Sequence, residues 1–364
     1  MTPPTYAVLN LDALQHNLAV VRQYAPKAKI MAVIKANAYG HGLLRVADKL
    51  PNVDAFAVAR VDEAVRLRFA GVTQRIAVLE GFACVEELAL LLQHDIDAVI
   101  HCPEQLAILN AQSGVETLSV WLKQDSGMNR LGFKTPEEIV AAYQQLMACK
   151  VVRKPLNLMT HLASADNRAD ATTQQQISLF NNTISQLRGE RSIANSAGIL
   201  GWTEALTDWV RPGIMLYGVS PFAEQTGAQF GLKPVMSLHS HLIAVKDLAK
   251  GETIGYSGRW RCEKPTRYGV VAIGYGDGYP RYAKTGTPVL VNGQRVPLIG
   301  RVSMDMLTVD LADQPDAKPG DPVILWGEGL AVEEIALCSD TIPYTLLCGI
   351  TQRVQIVEQP LLKG

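Results

Sequence analysis

The sequence has no excess of charge of either sign. Its 364 residues carry 34 Lys and Arg against 35 Asp and Glu, which gives a formal net charge of −1. Domains that bind nucleic acid usually carry a basic patch and a high isoelectric point, and no run of Lys or Arg occurs in this chain. We therefore expect no nucleic-acid partner.

Long hydrophobic runs are also missing. No apolar stretch approaches the ~20 residues that a helix needs to cross a bilayer, and the N-terminal residues lack the basic and then apolar regions of a secretory signal. The six cysteines show neither paired nor metal-ligand spacing, and the seven histidines show no HExxH pattern. These features predict a cytoplasmic protein with reduced thiols, no membrane partner and no bound metal.

The first two-thirds of the chain alternate short apolar runs with amphipathic segments. In those segments apolar residues recur at the three- and four-residue spacing of a helix with one buried face. Without a GxGxxG dinucleotide motif, this alternation favours an α/β fold with a closed (β/α)₈ barrel of TIM type over an open sheet. The eight runs are Ile30–Ile34, Ala55–Ala59, Ile76–Leu79, Ala98–Ile100, Leu118–Leu122, Leu156–Thr160, Ser192–Ala194 and Trp209–Leu216.

A polar side chain lies at or just after each of these runs. Active sites of (β/α)₈ barrels form at the C-terminal ends of the strands, so we expect several of these side chains to line a site. They are Lys35, Arg60, Glu80, His101, Lys123, His161, Ser196 and Arg211.

The pattern changes after Pro234. Alternating apolar and polar runs are separated there by Gly, Pro and Asp-Gly turns, and Asn292-Gly293 is a strong signal for a type I′ hairpin. We expect a barrel domain over residues 1–233, followed by a mainly antiparallel β domain over residues 234–364. The N-terminal run at residues 5–9 could add a strand to the second domain.

Four segments contain residue types suited to chemistry. Burial at the end of a strand would favour the neutral amine of a lysine such as Lys35, which could then form a Schiff base, although most strand-end lysines reach out to water. Arg130 could hold a carboxylate by two hydrogen bonds, but it could equally be a surface arginine. Asn195 and Ser196 open a small-residue turn that suits a phosphate. Arg211 lies on the eighth strand, near the usual phosphate site of barrels.

The sequence does not contain two other catalytic motifs, the GxSxG nucleophile motif and the Walker A motif. The sequence Gly255-Tyr256-Ser257-Gly258 is not a GxSxG nucleophile motif, because Arg follows it and the surroundings are β-rich. No Walker A sequence occurs.

Five stretches of the sequence resemble the alanine racemase family, over about residues 5–356. The first, AVIKANAYGHG around Lys35, matches the family's signature for attachment of pyridoxal phosphate. The other four follow in family order: WVRPGIMLYGVSP, TIGYSG, GYGDGYP and GRVSMDM. The resemblance implies a cytoplasmic, pyridoxal-phosphate-dependent isomerase that interconverts L- and D-alanine, either for peptidoglycan or for alanine catabolism. It also implies a homodimer with shared active sites.

The resemblance further implies a role for each matched residue. Lys35 would carry the cofactor as a Schiff base, and Tyr256, which faces the other subunit's cofactor in the family, would be the second catalytic base. Lys123 matches a lysine that is carbamylated in many members and braces Arg130. The remaining cofactor-binding positions are Tyr39, His161, Asn195, Ser196, Arg211, Gly213, Ile214 and Tyr344, and the substrate-binding positions are Arg130, Met304 and Tyr279, the last at the substrate entrance.

Three positions depart from the family pattern. Ser257 and Asn129 stand where glycine is usual or frequent, and Ser303 stands where some members have cysteine. None of these departures removes a functional group, but Ser257 and Asn129 leave the substrate preference open, with a serine or broad-specificity amino-acid racemase as the alternative activity. The second domain and Tyr256 disfavour a lone-barrel pyridoxal-phosphate-binding protein. From another class, a barrel hydrolase or a non-catalytic binding module with a merely structural Lys35 would also fit the composition.

Overall fold

The computed structural model describes residues 4–258 and 260–359 and divides the chain into two compact units. One unit is Asn17–Leu216, and the other joins Met1–His16 to Tyr217–Gly364. The expected division between residues 233 and 234 differs from this grouping. Residues 217–233, which lie between the two boundaries, are built of turns, including the short helix Gly227–Phe230. No pattern in their sequence indicates which domain they belong to.

The chain opens with strand β1 (Tyr6–Leu9) and helix α1 (Asp12–Tyr24). Eight parallel strands then close into a barrel, so the predicted (β/α)₈ architecture is confirmed. They are β2 (Lys29–Val33), β3 (Ala55–Val58), β4 (Arg75–Val78), β5 (Asp97–Ile100), β6 (Val120–Lys123), β7 (Asn157–Met159), β8 (Glu190–Ser192) and β9 (Trp209–Val210).

Helices connect these strands. Helix α7 begins at Pro136, as the sequence predicts, because Thr135 accepts a hydrogen bond from the Glu138 amide at 3.2 Å and proline fits the first turn. The connecting helices are α2 (Lys35–Tyr39), α3 (Leu43–Lys49), α4 (Val61–Phe69), α5 (Val85–Gln93), α6 (Pro103–Asn110), α7 (Pro136–Ala148), α8 (Thr172–Thr183) and α9 (Ser196–Gly201).

The barrel interior is packed with side chains. Strands β3, β5 and β6 are buried along their whole length, as expected for parallel strands covered on both faces. The rings of Trp121 and Trp209 meet edge to face at 5.6 Å. At the N-terminal ends of the strands, Asp97 pairs with Arg75 at 2.5 Å and accepts from the Trp121 indole at 3.2 Å. The buried polar groups at that end are therefore paired with one another.

The other unit is built on an eight-stranded sheet in the order β13-β16-β15-β14-β17-β10-β1-β18. Strand β1 pairs antiparallel with β10 and parallel with β18, and the remaining neighbours are antiparallel. The strands that follow β1 in this unit are β10 (Met236–Leu248), β11 (Thr253–Ile254), β12 (Trp260–Arg261), β13 (Thr266–Val271), β14 (Pro288–Val291), β15 (Gln294–Ile299), β16 (Leu307–Asp310), β17 (Pro322–Trp326) and β18 (Gln355–Glu358). Two helices follow β17, namely α10 (Val332–Cys338) and α11 (Pro343–Cys348).

The predicted type I′ hairpin joins β14 to β15. Asn292 and Gly293 both have positive φ angles, 51° and 77°, as that turn requires. The mainly antiparallel character of the second domain is confirmed.

Candidate active site

Lys35 leaves strand β2 and opens a turn of left-handed helix. Ala36, Asn37, Ala38 and Tyr39 all have φ angles near 53°, a region that costs an L-residue about 1–2 kcal/mol. The rest of the fold must therefore hold this turn in place. Glu63 accepts from the Asn37 amide at 3.4 Å, and the Asn37 side chain accepts from the Leu43 amide at 2.9 Å.

His41 supports the far end of the same turn. Its Nδ1 lies 3.0 Å from the Ala38 carbonyl oxygen and 2.9 Å from that of Tyr39. Burial lowers the pKa of His41 to about 4, so the ring is neutral at pH 7 and donates from Nδ1 to these carbonyls.

Ser196, Gly213 and Tyr39 form a small buried cradle. Ser196 begins α9, which Asn195 caps by accepting from the Gly198 amide at 2.9 Å. The Ser196 hydroxyl accepts from the Gly213 amide at 2.9 Å. A Cβ atom added at Gly213 would lie 2.5 Å from the Tyr39 hydroxyl, so a side chain there would displace that hydroxyl. Ile214, the next residue, is fully buried.

Arg211 is buried and extensively hydrogen-bonded. Its Nη2 donates to the carbonyl oxygens of Thr160 at 2.6 Å and Ile193 at 3.2 Å, and its Nη1 donates to the Ser192 hydroxyl. Nη2 also lies 3.5 Å from Nδ1 of His161. Burial lowers the pKa of Arg211 to about 10, which still leaves the guanidinium charged at neutral pH. Burial, followed by the charge of Arg211, lowers the pKa of His161 well below its usual value.

Lys123 is the last residue of β6 and is only 7% exposed. Burial, reinforced by the charges of Arg211 and Arg130, lowers its pKa to about 8. Lys35 acts in the same direction on both Lys123 and His161. Lys35, Lys123, Arg130 and Arg211 lie at or after the C-terminal ends of barrel strands, and the charge of each lowers the pKa of His161. This surplus of positive charge suits an anionic ligand.

Asp125 folds the loop that carries Arg130. One carboxylate oxygen accepts from the amides of Gly127 at 3.0 Å and Asn129 at 2.9 Å, and the other accepts from the Arg130 amide at 3.1 Å. Sequence reasoning missed this role. The short spacing from Asp125 to Gly127 and Asn129 was the available signal, because Asp commonly bonds to backbone amides a few residues further on.

The other unit carries four more of the expected site residues. Tyr256 lies in a short turn and is 69% exposed. The Met304 carbonyl accepts from the Gly276 amide at 2.8 Å, and Tyr344 lies in the first turn of α11.

Tyr279, expected at a substrate entrance, is instead buried. It is 1% exposed and stacks on Trp326 with ring centroids 6.0 Å apart, and burial raises the pKa of its hydroxyl. A side chain inside the core cannot line an opening to solvent, so this assignment is wrong on the single chain. Tyr275 in the same motif is 38% exposed, and its amide donates to the Ser303 carbonyl at 3.0 Å.

The two positions where glycine is usual share one backbone feature. Ser257 has φ 63° and Asn129 has φ 55°, both in the left-handed region that glycine adopts at little cost. Glycine could therefore adopt the backbone conformation found at both positions.

Comparisons with known proteins extend over almost the whole chain. The family models for the alanine racemase N-terminal and C-terminal domains match residues 9–221 and 235–358. The alanine racemase of Shewanella sediminis is 52% identical over 98% of this chain and 99% of its own length. The biosynthetic alanine racemase of Escherichia coli is 52% identical over 95% and 97%. The crystal structure of the biosynthetic alanine racemase from Pseudomonas aeruginosa has a TM-score of 0.95 at 46% identity and covers 99% of this chain and 100% of that one.

The chain belongs to the alanine racemase family. The resemblance drawn from the five motifs is therefore confirmed. Within the described residues, no cluster of three or more His, Cys, Asp or Glu side chains is arranged to hold a metal, and no helix there is long and apolar enough to span a bilayer.

Alanine racemases use pyridoxal phosphate, and the barrel residues fit this cofactor. The cradle at Ser196, Gly213 and Tyr39 has the small residues and hydroxyls that a phosphate needs. The guanidinium of Arg211 has five N–H groups, and its hydrogen bonds to Ser192, Thr160 and Ile193 leave N–H groups that can donate to a ring nitrogen. Lys35 supplies the primary amine for an aldehyde.

Proposed function

We propose that this chain interconverts L- and D-alanine with pyridoxal phosphate held on Lys35. The observation that carries the proposal is the grouping of Lys35, Lys123, Arg130 and Arg211 around a neutral His161 at one end of the barrel. Such a grouping provides an amine, an anion site and a carboxylate site together. When bound, the cofactor supplies an electron sink that makes the α-hydrogen of an amino acid acidic.

Lys35 and Tyr256 are the two bases of the proposed reaction. Racemisation removes the α-proton from one face of the substrate and returns a proton to the other, so one base on each face is an economical arrangement. We assign Lys35 to one face and Tyr256 of the partner subunit to the other. The exposure of Tyr256 in the single chain supports this assignment, since a catalytic base is expected to be shielded from water in the working enzyme.

A homodimer follows from sharing Tyr256 in this way. Exposed apolar side chains lie close together near the Met304 loop: Tyr275 and Tyr282 flank Arg281, and Met304 and Met306 are 53% and 42% exposed. A patch rich in aromatic residues, Met and Arg is typical of a subunit interface.

Arg211 would limit how strongly the cofactor could act as an electron sink. Its guanidinium can donate a hydrogen bond but cannot accept one, so a ring nitrogen held by Arg211 would stay unprotonated. This would disfavour a long-lived carbanion and side reactions such as transamination. The neutral His161, 3.5 Å from Arg211, would link Arg211 to Tyr256 of the partner subunit.

Arg130 and the backbone of Met304 would hold the substrate carboxylate. A lysine with a pKa near 8 is partly neutral at physiological pH, and a neutral amine is the form that reacts with CO₂. Carbamylated Lys123 would then brace Arg130 by charge. On the cofactor side, Tyr39, Ser196, Gly213, Ile214 and Tyr344 would bind the phosphate, with Asn195 fixing the start of α9.

The relatives compared above are named alanine racemases, and none supports the serine or broad-specificity alternative. Two of them are named biosynthetic, which supports D-alanine supply for peptidoglycan over catabolism. Cytoplasmic localisation completes the proposal, in keeping with six cysteines that are free thiols.

Borohydride reduction tests the proposal directly. The purified protein, loaded with pyridoxal phosphate, should be yellow, and borohydride should discharge the colour and fix the cofactor on Lys35, as identified by peptide mass spectrometry. Lys29, on the same strand but in an exposed ion pair with Glu190, gives the matched control. Lys29→Arg should keep the label and Lys35→Arg should lose it. Label on another lysine, or none in folded protein, contradicts the proposal.

A further inference from the structure

Gln176 occupies a buried position between two loops of the proposed site. It lies on α8 (Thr172–Thr183), one helical turn beyond the helix start, and is 1% exposed. One of these loops follows β6 and carries Arg130, and the other follows β7 and carries His161. A buried polar side chain must satisfy its hydrogen-bonding groups, and the amide of Gln176 forms its hydrogen bonds with these two loops.

Three hydrogen bonds fix the Gln176 amide. Its Oε1 accepts from the Ala163 amide at 2.9 Å, and its Nε2 donates to the His161 carbonyl at 3.2 Å. Nε2 also lies 3.4 Å from the Ser126 hydroxyl. A Cβ added at Gly127 would be in van der Waals contact with Gln176 Cγ at 3.6 Å, so the side chain packs directly under the Arg130 loop.

The Ser126 hydroxyl extends this connection into the barrel. It lies 2.7 Å from the Thr160 hydroxyl, which donates to the Gln124 carbonyl at 3.0 Å. The Thr160 carbonyl in turn accepts from Arg211. Both hydroxyl residues are buried. The Arg130 loop and the His161 loop are therefore joined through one continuous set of buried hydrogen bonds, with Gln176 as the side chain that reaches both.

We propose that Gln176 is a positioning residue that sets the Arg130 loop relative to His161 and so fixes where the substrate carboxylate binds. This inference rests on the proposed function. Gln176 itself does not touch the substrate. Its effect is transmitted through Ser126 and Gly127 to the loop that Asp125 folds around Arg130.

Gln176→Met tests the inference, because methionine keeps the length of the side chain and removes its polar atoms. Each hydrogen bond contributes about 1 kcal/mol net, so losing the loop anchor should raise the KM for L-alanine by about five- to thirtyfold. The inhibition constant of propionate, a carboxylate without an amino group, should rise in parallel. Both kcat and the affinity for pyridoxal phosphate should change by less than about threefold.

Three further variants separate positioning from general destabilisation. Gln175→Met changes the neighbouring, exposed residue of the same helix and should leave all constants unchanged. Ser126→Ala should raise KM as well, and the double variant Gln176→Met with Ser126→Ala should show less than the product of the two effects. Ser126→Ala also keeps the test available if Gln176→Met does not fold.

An unchanged KM and propionate constant in folded Gln176→Met would overturn the inference. The inference would also be overturned if kcat and cofactor affinity fell by the same factor by which KM rose. Failure of the proposed function gives a different result, since the wild-type protein would then neither racemise alanine nor hold the cofactor on Lys35.

Discussion

Two basic side chains, Lys123 and His161, have pKa values lowered chiefly by burial. Arg211 is buried as well, but its pKa of about 10 keeps it charged at neutral pH. The difference follows from intrinsic basicity, because a guanidinium starts far above neutral pH whereas an imidazole starts near it. The neutral His161 can therefore accept a hydrogen bond from Arg211, and Arg211 can only donate.

Replacing Arg211 by Glu tests its proposed role at the ring nitrogen. A carboxylate can accept the proton that a guanidinium cannot, so the ring nitrogen should become more basic. We expect slower racemisation and a new long-wavelength absorbance when L-alanine is added to the cofactor-loaded variant, with more transamination. An unchanged spectrum with near-normal turnover would remove Arg211 from the site. Loss of cofactor or of the fold, without a new band, would make it a structural residue.

Some residues of the candidate site could be predicted from the sequence and others could not. The strand-end positions of Lys35, Lys123 and Arg211 could be predicted, because the period of the buried strands places them. Gln176 and Ser192 could not, since nothing local marks a polar residue that will bond to a neighbouring loop or strand. The motif GYGDGY contains two tyrosines, and the sequence alone did not distinguish exposed Tyr275 from buried Tyr279.

At the scale of elements, the left-handed turn α2 is the largest departure from local preference. Nothing in the sequence Lys-Ala-Asn-Ala-Tyr predicts it, because alanine strongly favours the right-handed helix. Contacts distant in sequence override that preference: Glu63 accepts from the amides of Ala59, Arg60 and Asn37. The turn places Tyr39 against Gly213, so the conformational cost is incurred at the proposed phosphate site, where backbone strain is often found.

The left-handed residue Ser257 gives a stability prediction. Serine in this conformation costs about 1–2 kcal/mol, whereas glycine loses about 0.4–1 kcal/mol through the greater freedom of the unfolded chain. We therefore expect Ser257→Gly to raise the free energy of unfolding by about 0.5–1 kcal/mol, measured by urea denaturation.

Asn129→Gly is the matched comparison for this prediction. Asparagine tolerates the left-handed region well, so the freedom of the unfolded chain should dominate, and this variant should be neutral or slightly destabilised. Ser257→Gly proving less stable than the parent protein would show that the serine side chain makes a compensating contact in the working enzyme.

At the scale of the whole molecule, the two architectures follow from the hydrophobic patterns. Runs buried on both faces gave the parallel barrel, and alternating runs gave the antiparallel sheet. The N-terminal run at residues 5–9, which the sequence offered as an extra strand of the second domain, forms β1 and pairs with β10 in that unit. The sequence did not indicate which strand would be its partner, because pairing between strands so distant in sequence leaves no local pattern.

Shared active sites can be tested by complementation. Tyr256→Phe should cost about 10²–10⁴-fold in rate, as expected for loss of a general base, and Lys35→Ala should be inactive. Co-expressed, the two variants should recover about a quarter of wild-type activity, since half of randomly mixed dimers carry one intact site. Lys35→Ala co-expressed with Lys35→Arg has no intact site in any pairing and is the control. Recovery no greater than this control would contradict a site built from two subunits.

Circular dichroism of the substrate in D₂O measures the racemisation of alanine directly. Starting from either enantiomer, the signal should decay to zero with the cofactor-loaded protein, and the α-position of both products should carry deuterium. The reverse reaction is included because an isomerase must approach the same equilibrium from both sides. A constant signal, or conversion of alanine to pyruvate, from folded protein carrying the cofactor on Lys35 would show that the protein is not an alanine racemase.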